Sequence, residues 1–322
     1  MTGEPIGPVP DVARPVVVYI GGSGRSGSTL LERLLGAVPG VAALGEVVHL
    51  PTRGLVDGQP CACGEPVTRC PFWGAVGQRA FGGWDHVDGR AWRDLQHRVD
   101  RNRHLPHLAV PVRAGFRRAL ADHAGRLDAL YLAAAGVSGA AVLVDSSKHA
   151  STAFALRHVR QVDLRVVHLV RDSRGVAFSW TKEVARPESS AGELMPQYSP
   201  ASAAMWWDAF NVMLGALATT GTDVHRLRYE DLLARPAGAL REVLAPTGLR
   251  LGSGWDDFLG PDGATLGASH SIAGNPMRFS TGTLPLRRDE AWRRELGARD
   301  RRIVTALTLP LLSAYGYSWR PR

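Results

Sequence analysis

The segment from residue 22 to residue 29 constrains the fold of this 322-residue chain more than any other part. It reads GSGRSGST and follows the apolar, β-branched run Pro15–Ile20. It opens a stretch, Ser28 to Val38, whose apolar spacing is that of an amphipathic helix. A strand, a glycine-rich loop and a helix in this order form an anion site, because the first N–H groups of the helix point at the ligand. The alternative is a glycine-rich turn without a ligand, which the order of these elements disfavours.

The loop matches the nucleotide-binding pattern G-x-x-x-x-G-K-[ST] at every position but one, because Ser28 stands where the pattern has lysine. In nucleotide hydrolases and kinases that lysine contacts the β- and γ-phosphates, so its replacement disfavours ATP chemistry. Arg25 supplies a cation inside the loop instead. The loop therefore predicts an anion site that is not built for ATP.

Strand-like and helix-like segments alternate along the rest of the chain. Short apolar runs predict further strands at Val41–Glu46, Ala141–Val144, Leu164–Val170 and Val224–Tyr229. Helical patterns predict helices at Ser151–Arg160, Ser173–Glu183, Ser199–Thr219, Arg235–Pro246 and Asp300–Tyr315. This alternation predicts an α/β fold: a P-loop-like, three-layer α/β/α arrangement with a central parallel sheet. Ligands of such sheets bind beyond the carboxyl ends of the strands.

We expect a single domain over residues 1–322, with a loose leader at residues 1–14 and an insert at residues 52–139. The insert is rich in Cys, Gly and Pro as far as Gly89, which predicts irregular structure, and has a helical pattern from Ala91 to Gly136. Hydrophobic residues at 45% and charged residues at 21% fit a globular chain and exclude a disordered one. Neither a signal peptide nor an apolar run of about 18 residues is present, so we predict a cytoplasmic protein without a transmembrane segment.

The formal net charge of +8 comes from arginine, since Lys148 and Lys182 are the only lysines. A basic balance suits nucleic acid, an anionic membrane surface or an anionic small ligand. The arginine runs, such as Arg117–Arg118 and Arg287–Arg288, are short and scattered, and no nucleic-acid-binding module accompanies them. We therefore expect solvated helix faces and no nucleic-acid partner.

Two segments together carry a resemblance to a known family. The loop and the segment His168–Trp180 resemble the sulfotransferases, which use 3′-phosphoadenosine 5′-phosphosulfate (PAPS) as donor. The resemblance implies that one set of residues binds the 5′-phosphosulfate: Gly24, Arg25, Ser26, Gly27, Ser28 and Thr29. It also implies that Arg171 and Ser179, eight residues apart, bind the 3′-phosphate. Arginine binds phosphate through two N–H groups and serine adds a hydrogen bond, so the residue types suit that role.

Later segments extend the resemblance from Val16 to Tyr317, although residues 52–139 match only loosely. Tyr229 lies in a recurrent family segment near the nucleotide. Arg278, within the segment His270–Gly282, matches the cation of the segment that closes over the 3′-phosphate. The resemblance further implies that 3′,5′-adenosine diphosphate is the product and that no metal is required.

Sulfuryl transfer needs a base for the acceptor hydroxyl and a cation for the developing charge. Glu46, in Leu44-Gly45-Glu46, resembles the base of the tyrosylprotein branch of the family, and we expect burial to raise its pKa. His49 is a rival base, and His149 is another. Lys148 resembles the lysine that stabilises the bridging oxygen of the donor, and Arg25 would share the charge on the sulfuryl group.

Neighbouring residues have other expected roles. Asp145, at the end of a predicted strand, is expected to cap the next helix or to orient a neighbour. Cys61, Cys63 and Cys70 leave three possibilities open: a disulfide, free thiols, or a metal site completed by a fourth ligand. The four tryptophans Trp84, Trp92, Trp206 and Trp207 are expected to form core or the wall of an acceptor pocket.

These observations predict a sulfotransferase that moves a sulfuryl group to a hydroxyl of a small molecule or glycoconjugate. The first alternative is a small-molecule kinase that uses ATP and Mg²⁺, against which Ser28 argues. The second is a non-catalytic nucleotide-binding protein, against which Glu46, Lys148 and Arg25 argue. The sequence leaves the acceptor and the oligomeric state open.

Overall fold

A central sheet of five parallel strands organises the computed structural model, which describes residues 14–185 and 194–319. The strands are β1 (Val16–Gly21), β2 (Val41–Gly45), β3 (Val142–Lys148), β4 (Asp163–Val170) and β5 (Val224–Arg228). Their order across the sheet is β2-β3-β1-β4-β5, and every pair is parallel. The predicted α/β fold with a central parallel sheet is confirmed. Residues 1–13 of the predicted leader lie outside the described residues.

Helices cover both faces of the sheet, which gives the predicted three layers. They are α1 (Ser28–Leu35), α2 (Pro71–Phe81), α3 (Gly89–Val99), α4 (Leu105–Ala109), α5 (Ala114–Ser138), α6 (Ala150–Leu156), α7 (Ser173–Thr181), α8 (Pro200–Leu217), α9 (Tyr229–Ala234), α10 (Pro236–Leu244), α11 (Trp292–Glu295) and α12 (Ala298–Ala314). Strand side chains alternate between two apolar clusters. Val17 and Tyr19 pack with α5 and α6, whereas Val18 and Ile20 pack with α1 and α10. Because both faces are buried, β1 is a nearly continuous apolar run.

The insert at residues 52–139 is more helical than its sequence predicted. A π-helical turn spans Leu50–Val56, and α2 lies within the stretch that we predicted to be irregular up to Gly89, whereas α3 begins at Gly89 and fits the predicted helical region. Proline at the first position of α2 obscured this helix, although proline is well tolerated there because that N–H has no helical partner. The prediction of an irregular stretch is therefore wrong from Pro71 to Phe81.

A second, smaller sheet lies late in the chain and was not predicted. It is antiparallel and consists of β6 (Leu259–Gly260), β7 (Gly263–Leu266) and β8 (Gly282–Leu284). The chain between β7 and β8 runs back to the central sheet, where Ile272 bonds to both sides of Gly45: Ile272 N donates to Leu44 O and Glu46 N donates to Ile272 O. Gly45 has a φ of +83°, and a Cβ there would lie 2.2 Å from Ile272 N. Only glycine fits this position.

Within the described ranges, no helix is long and apolar enough to cross a bilayer. The predicted cytoplasmic location stays a prediction.

Candidate active site

The five strands of the central sheet deliver the predicted site residues to one edge. The glycine-rich loop follows β1, Glu46 follows β2, Lys148 ends β3, Arg171 follows β4 and Tyr229 follows β5. Because the strands are parallel, all five carboxyl ends lie on the same side of the sheet. The predicted residues therefore meet through topology, although they span more than half of the chain.

Positive φ angles give the glycine-rich loop its tight turn. Arg25 and Gly27 have positive φ angles of +67° and +97°, and Gly27 is the N-terminal cap of α1. A Cβ at Gly27 would lie 2.5 Å from the ring of Tyr229, so glycine is needed both for the turn and for this contact. Positive φ at a non-glycine residue such as Arg25 is uncommon and marks local strain of the kind found at functional sites.

Several polar atoms of the loop are buried without a protein partner. In the described part of the chain, these unpaired atoms include Ser23 Oγ, Ser26 Oγ, and the Nε and Nη2 of Arg25. Buried donors are normally hydrogen-bonded, and a buried cation is costly without a counter-ion. Burial also lowers the pKa of the Arg25 guanidinium, which stacks on the Trp180 ring at 4.9 Å. The loop is thus a set of donors that an anion would complete.

Glu46 forms the centre of a buried charged group beside the loop. Its side chain is 6% exposed; one oxygen is ion-paired with Lys148 Nζ, and Oε2 lies 3.3 Å from His49 Nε2. Burial alone would raise the pKa of Glu46, but Lys148 and then His49 outweigh it and hold the pKa below its ordinary value. Our expectation of a raised pKa is therefore wrong for this arrangement, and Glu46 is a carboxylate with its counter-ion in place.

The backbone of Lys148 is strained at the position from which its side chain pairs with Glu46. Its φ is +69°, in the left-handed region that side-chain-bearing residues seldom adopt. The irregular pairing at the ends of β1 and β3 accompanies it, because the register shifts between Tyr19 and Gly21. The bend turns the end of β3 so that Lys148 reaches Glu46.

The two candidate histidines lie against each other at the same site. The rings of His49 and His149 meet edge to face with their centroids 5.8 Å apart. Burial lowers the pKa of both, and that of His149 falls to about 4. Both rings are therefore neutral near pH 7 and can accept a proton in principle. His49 contacts Glu46 directly, whereas His149 faces the cleft described below.

Two further buried carboxyl groups support the site, and only one was noticed in the sequence. Asp145 accepts hydrogen bonds from Tyr131 Oη (2.7 Å) and from Ser147 N (2.9 Å). Ser147 Oγ in turn accepts from Val48 N, two residues after Glu46, so Asp145 orients a neighbour and does not cap α6. Burial raises the pKa of Asp145 to about 6.

Glu32 is the carboxyl group that sequence reasoning missed. It lies on α1, is 2% exposed, and accepts hydrogen bonds from Ser146 Oγ and Ser271 Oγ. Burial raises its pKa to about 7, and the hydrogen bonds from the two hydroxyl groups offset only part of this effect. The available signal was a glutamate between the leucines of the helix directly after the loop.

One cleft on the β4–β5 side of the loop is polar. We call it the polar cleft; it has a volume of about 330 Å³ and is lined by Arg171, Asp172, Arg174, Arg228, Tyr229, Glu230, Asp231, Arg288, Asp289, Glu290, Trp292, Arg293, Tyr317 and Ser318. Arg171 stacks on the Tyr229 ring at 4.7 Å and donates to Arg25 O at 3.1 Å. Its Nη2 also lies 3.5 Å from Asp289 Oδ2. Arg171 therefore links the loop to the polar cleft.

The remaining predicted 3′-phosphate residues divide between two places. Ser179 is half-buried on α7, in the same strand–helix unit as Arg171. Arg278 is buried elsewhere, where it donates to Gly274 O and stacks on Phe279. Arg278 is not among the residues that line the polar cleft, whereas the later residues Arg288 and Asp289 are. Arg288, which we had expected on a solvated helix face, is exposed but lies in a loop, where it lines the polar cleft and donates to Glu230 O.

The segment that carries Arg278 instead meets the loop and Glu46. Asn275 N lies 3.4 Å from Thr29 Oγ1, and a Cβ at Gly274 would lie 3.1 Å from Glu46 Oε1. Arg33 of α1 fixes this segment by donating to the carbonyls of Met277 and Arg278. The segment thus closes over the Glu46 end of the site.

A second cleft, the aromatic cleft, opens on the other side of the loop. It also has a volume of about 330 Å³ and is lined by Gly22, Ser23, Gly24, Lys148, His149, Val176, Trp180, Tyr198, Ala203, Trp206, Trp207 and Phe210. Trp206 is 54% exposed on α8, and Trp180 packs edge to face with Tyr198. Trp84 and Trp92, in contrast, are buried in the core. A larger open groove of about 570 Å³ lies elsewhere, between Arg241 and Asp256.

Comparison with known proteins identifies a family and a fold for the chain. A family model described as "Sulfotransferase family" matches residues 15–253. A solved sulfotransferase domain from the Synechococcus PCC 7002 olefin synthase is 20% identical, with 98% of this chain and 99% of that chain covered and a TM-score of 0.50. A sulfotransferase from Mycobacterium avium is 12% identical, with 97% and 79% covered and a TM-score of 0.48. None of the curated proteins compared matches the chain. The first of these structures supports the fold.

Proposed function

The chain belongs to the sulfotransferase family, and we propose that it moves a sulfuryl group from PAPS to a hydroxyl of a small molecule or glycoconjugate. The observation that carries this proposal is the buried, unpaired donor set of the loop beside the Lys148–Glu46 pair. The loop suits an anion, and the pair suits a reaction that moves one proton while negative charge develops nearby.

The residues present fit a donor of this kind. PAPS would supply an activated sulfuryl group at one end and a 3′-phosphate at the other. Ser23, Arg25 and Ser26 would pair their free polar atoms with the 5′-phosphosulfate, together with the N–H groups at the start of α1. Arg171, in contact with both the loop and the polar cleft, would bind the 3′-phosphate, with Ser179 as a second donor and Tyr229 beside the nucleotide.

Glu46 is the base that we propose for the acceptor. Its oxygen would take the hydroxyl proton while the acceptor oxygen bonds to sulfur and the bridging S–O bond breaks. Lys148 Nζ would neutralise the charge that develops on the bridging oxygen, and Arg25 would share the charge on the sulfuryl group. A bound donor would compete with Glu46 for the Lys148 ammonium group and so weaken the ion pair. The pKa of Glu46 would then rise towards the range that suits a general base.

The aromatic cleft is the acceptor site that we propose. It borders the loop, Lys148 and His149, so a hydroxyl at its inner end would lie near the proposed base. Trp180, Trp206 and Phe210 would hold the ring or apolar portion of the acceptor by face contacts. Its volume suits a small molecule or one end of a larger glycoconjugate.

The first experiment compares ligands by thermal stability, without any need for the acceptor. 3′,5′-Adenosine diphosphate at about 100 times its Kd should stabilise the protein by roughly 2.7 kcal/mol, whereas ATP with Mg²⁺ should have little effect. Adenosine 5′-monophosphate, which lacks the 3′-phosphate, is the control and should bind more weakly. Stronger stabilisation by ATP–Mg²⁺ would reject the proposed donor and favour a small-molecule kinase. With the donor established, transfer of ³⁵S from labelled PAPS to a panel of hydroxyl compounds identifies the acceptor.

A further inference from the structure

We propose that Cys61, Cys63, Cys70 and His270 bind one zinc ion, which fastens the insert to the segment that covers Glu46. One ligand atom from each of the four residues lies within 4.8 Å of every other. All three cysteines are free thiols, so the disulfide that the sequence left open is not formed here. The cluster lies outside both clefts and is separate from the proposed sulfuryl transfer.

The distances among three of the four ligand atoms are close to those of a tetrahedral metal site. Cys61 Sγ and Cys70 Sγ are 3.6 Å apart, and His270 Nδ1 lies 3.8 Å and 3.2 Å from them. With Zn–S bonds of about 2.3 Å and Zn–N bonds of about 2.0 Å, a tetrahedron places two sulfurs about 3.8 Å apart and a sulfur about 3.5 Å from a nitrogen. A metal could therefore enter with only small side-chain movements.

The donor set selects the kind of metal. Three thiolates and one imidazole form one of the standard structural zinc sets, and soft sulfur ligands exclude Mg²⁺ and Ca²⁺, which prefer oxygen. Four protein ligands also fill a tetrahedral centre and leave no position for substrate. The site is therefore structural rather than catalytic.

Local structure holds each ligand in place. Cys61 N donates to Glu65 O, and Gly64 N donates to Cys61 O, which makes a tight turn around Cys63. The Phe72 ring stacks on His270 at 5.4 Å, and Trp73 Nε1 donates to His270 O at 2.6 Å. These contacts from the start of α2 orient the imidazole so that its Nδ1 faces the sulfurs.

The proposed metal links two parts of the chain that are distant in sequence. Three ligands come from the insert, and the fourth lies 200 residues after Cys70. Ala62 N donates to Ser271 O, and Ile272 pairs with the backbone around Gly45, directly before Glu46. A bond at His270 therefore restrains the segment that lies on Glu46, and loss of the metal should loosen that segment first.

Metal analysis tests the proposal. Protein purified without a polyhistidine tag under reducing conditions should contain about one zinc per chain by inductively coupled plasma mass spectrometry, in line with a single four-ligand site. Cys63→Ser keeps three ligands and changes only a half-buried side chain, so it should fold and should weaken zinc binding by more than the roughly 10- to 100-fold that loss of an outer partner costs. His86→Gln, at an exposed histidine, is the matched control and should retain zinc.

Cobalt provides a readout that does not depend on activity or on zinc carried through purification. Co²⁺ exchanged into the protein should show thiolate charge-transfer bands and the intense visible bands of a tetrahedral centre, and Cys63→Ser should change them. Removal of the metal should increase hydrogen exchange in residues 270–278 more than in the strands of the central sheet. A protein that neither contains nor takes up zinc or cobalt, or that has a Cys61–Cys70 disulfide when freshly purified, would overturn the proposal.

Discussion

The polar cleft and the aromatic cleft have the same volume, but they differ in every side chain that could select a ligand. The aromatic cleft borders the loop at Gly22–Gly24, and the polar cleft is linked to the loop through Arg171. The polar cleft presents arginines and carboxylates, many of them already paired: Arg174 with Asp172, and Arg171 with Asp289. The aromatic cleft presents indole and phenyl rings, with Lys148 and His149 at its inner end. An anion gains from the first environment and a ring-bearing molecule from the second.

This difference is the basis on which we propose a side for each substrate. The loop carries the unpaired donors, so under the proposed function the reacting group would lie there, with the nucleotide extending towards Arg171 and the acceptor towards Trp206. Lys148 lines the aromatic cleft, and Glu46 is ion-paired with it. A substitution on the side of one cleft should change binding or catalysis there and leave ligand binding in the other cleft unchanged.

Glu46→Gln should give the largest effect, because it removes the proposed base and keeps the size of the side chain. We expect kcat to fall by about 10²- to 10⁴-fold, the usual contribution of a general base. The Kd for 3′,5′-adenosine diphosphate should stay within about threefold, since Glu46 pairs with Lys148 and His49 and is not one of the proposed nucleotide contacts. Steady-state transfer with labelled PAPS gives kcat, and calorimetric titration gives the Kd for 3′,5′-adenosine diphosphate.

The two histidines that are alternatives to Glu46 as the base are tested in the same assay. His49→Asn and His149→Asn should reduce kcat less than Glu46→Gln does, and Glu65→Gln, an exposed glutamate in the insert, should have no effect. A larger loss in either histidine variant, with Glu46→Gln active, would assign the base to that histidine and leave Glu46 as a partner of Lys148.

Arg171→Gln tests the polar side and should give the next largest effect. A hydrogen-bonded charge contributes about 1.5–3 kcal/mol, so the Kd for 3′,5′-adenosine diphosphate should rise by about 10- to 100-fold. Adenosine 5′-monophosphate lacks the 3′-phosphate, and its Kd should change little. If both ligands lose affinity equally, Arg171 acts by supporting the loop through Arg25 O rather than by binding the 3′-phosphate.

Much of this arrangement could be predicted from the sequence because it depends on local pattern and on parallel topology. The loop, the strand before it and the helix after it are contiguous, and Arg171 and Tyr229 follow apolar runs that are easily recognised as strands. Parallel strands then bring these residues to one edge without any knowledge of side-chain packing. The fold and the family were therefore accessible, and the comparisons confirm both.

The rest depends on contacts between residues distant in sequence, which no local pattern reveals. The pKa of Glu46 is lowered by Lys148, 102 residues later, so the expectation from burial alone had the wrong sign. The cysteine cluster could not be assigned because its fourth member, His270, follows Cys70 by 200 residues. Glu32 became visible only when its hydroxyl partners from β3 and from the late segment were in place.

Trp206→Ala tests the aromatic side and should give a moderate effect. An exposed indole at a binding surface contributes about 1–2 kcal/mol to ligand affinity, so KM for the acceptor should rise by about tenfold. Donor affinity should be unchanged. Met205→Ala, at the adjacent and equally exposed position on α8, is the matched control. A change in donor Kd with KM for the acceptor unaltered would exchange the assignments of the two clefts.

Asp289→Asn should give the smallest effect, and in the opposite direction. Asp289 Oδ2 lies 3.5 Å from Arg171 Nη2 and 3.3 Å from Lys182 Nζ, so its carboxylate competes with a phosphate for the same cations. Burial would raise its pKa, but hydrogen bonding from Ala291 N and the charge of Lys182 lower it, so Asp289 is ionised at neutral pH. A partly exposed ion pair is worth about 1 kcal/mol or less, so the variant should bind 3′,5′-adenosine diphosphate up to about fivefold more tightly.

Salt dependence distinguishes this competition from a positioning role for Asp289. If the carboxylate repels the phosphate, the gain in the Asp289→Asn variant should shrink as ionic strength rises, because exposed charges are screened. If Asp289 instead holds Arg171 in its binding orientation, the variant should bind the bisphosphate more weakly at every salt concentration. Calorimetric titrations at low and high salt separate the two, and weaker binding would mean that the polar cleft is already organised for the phosphate by its own carboxylates.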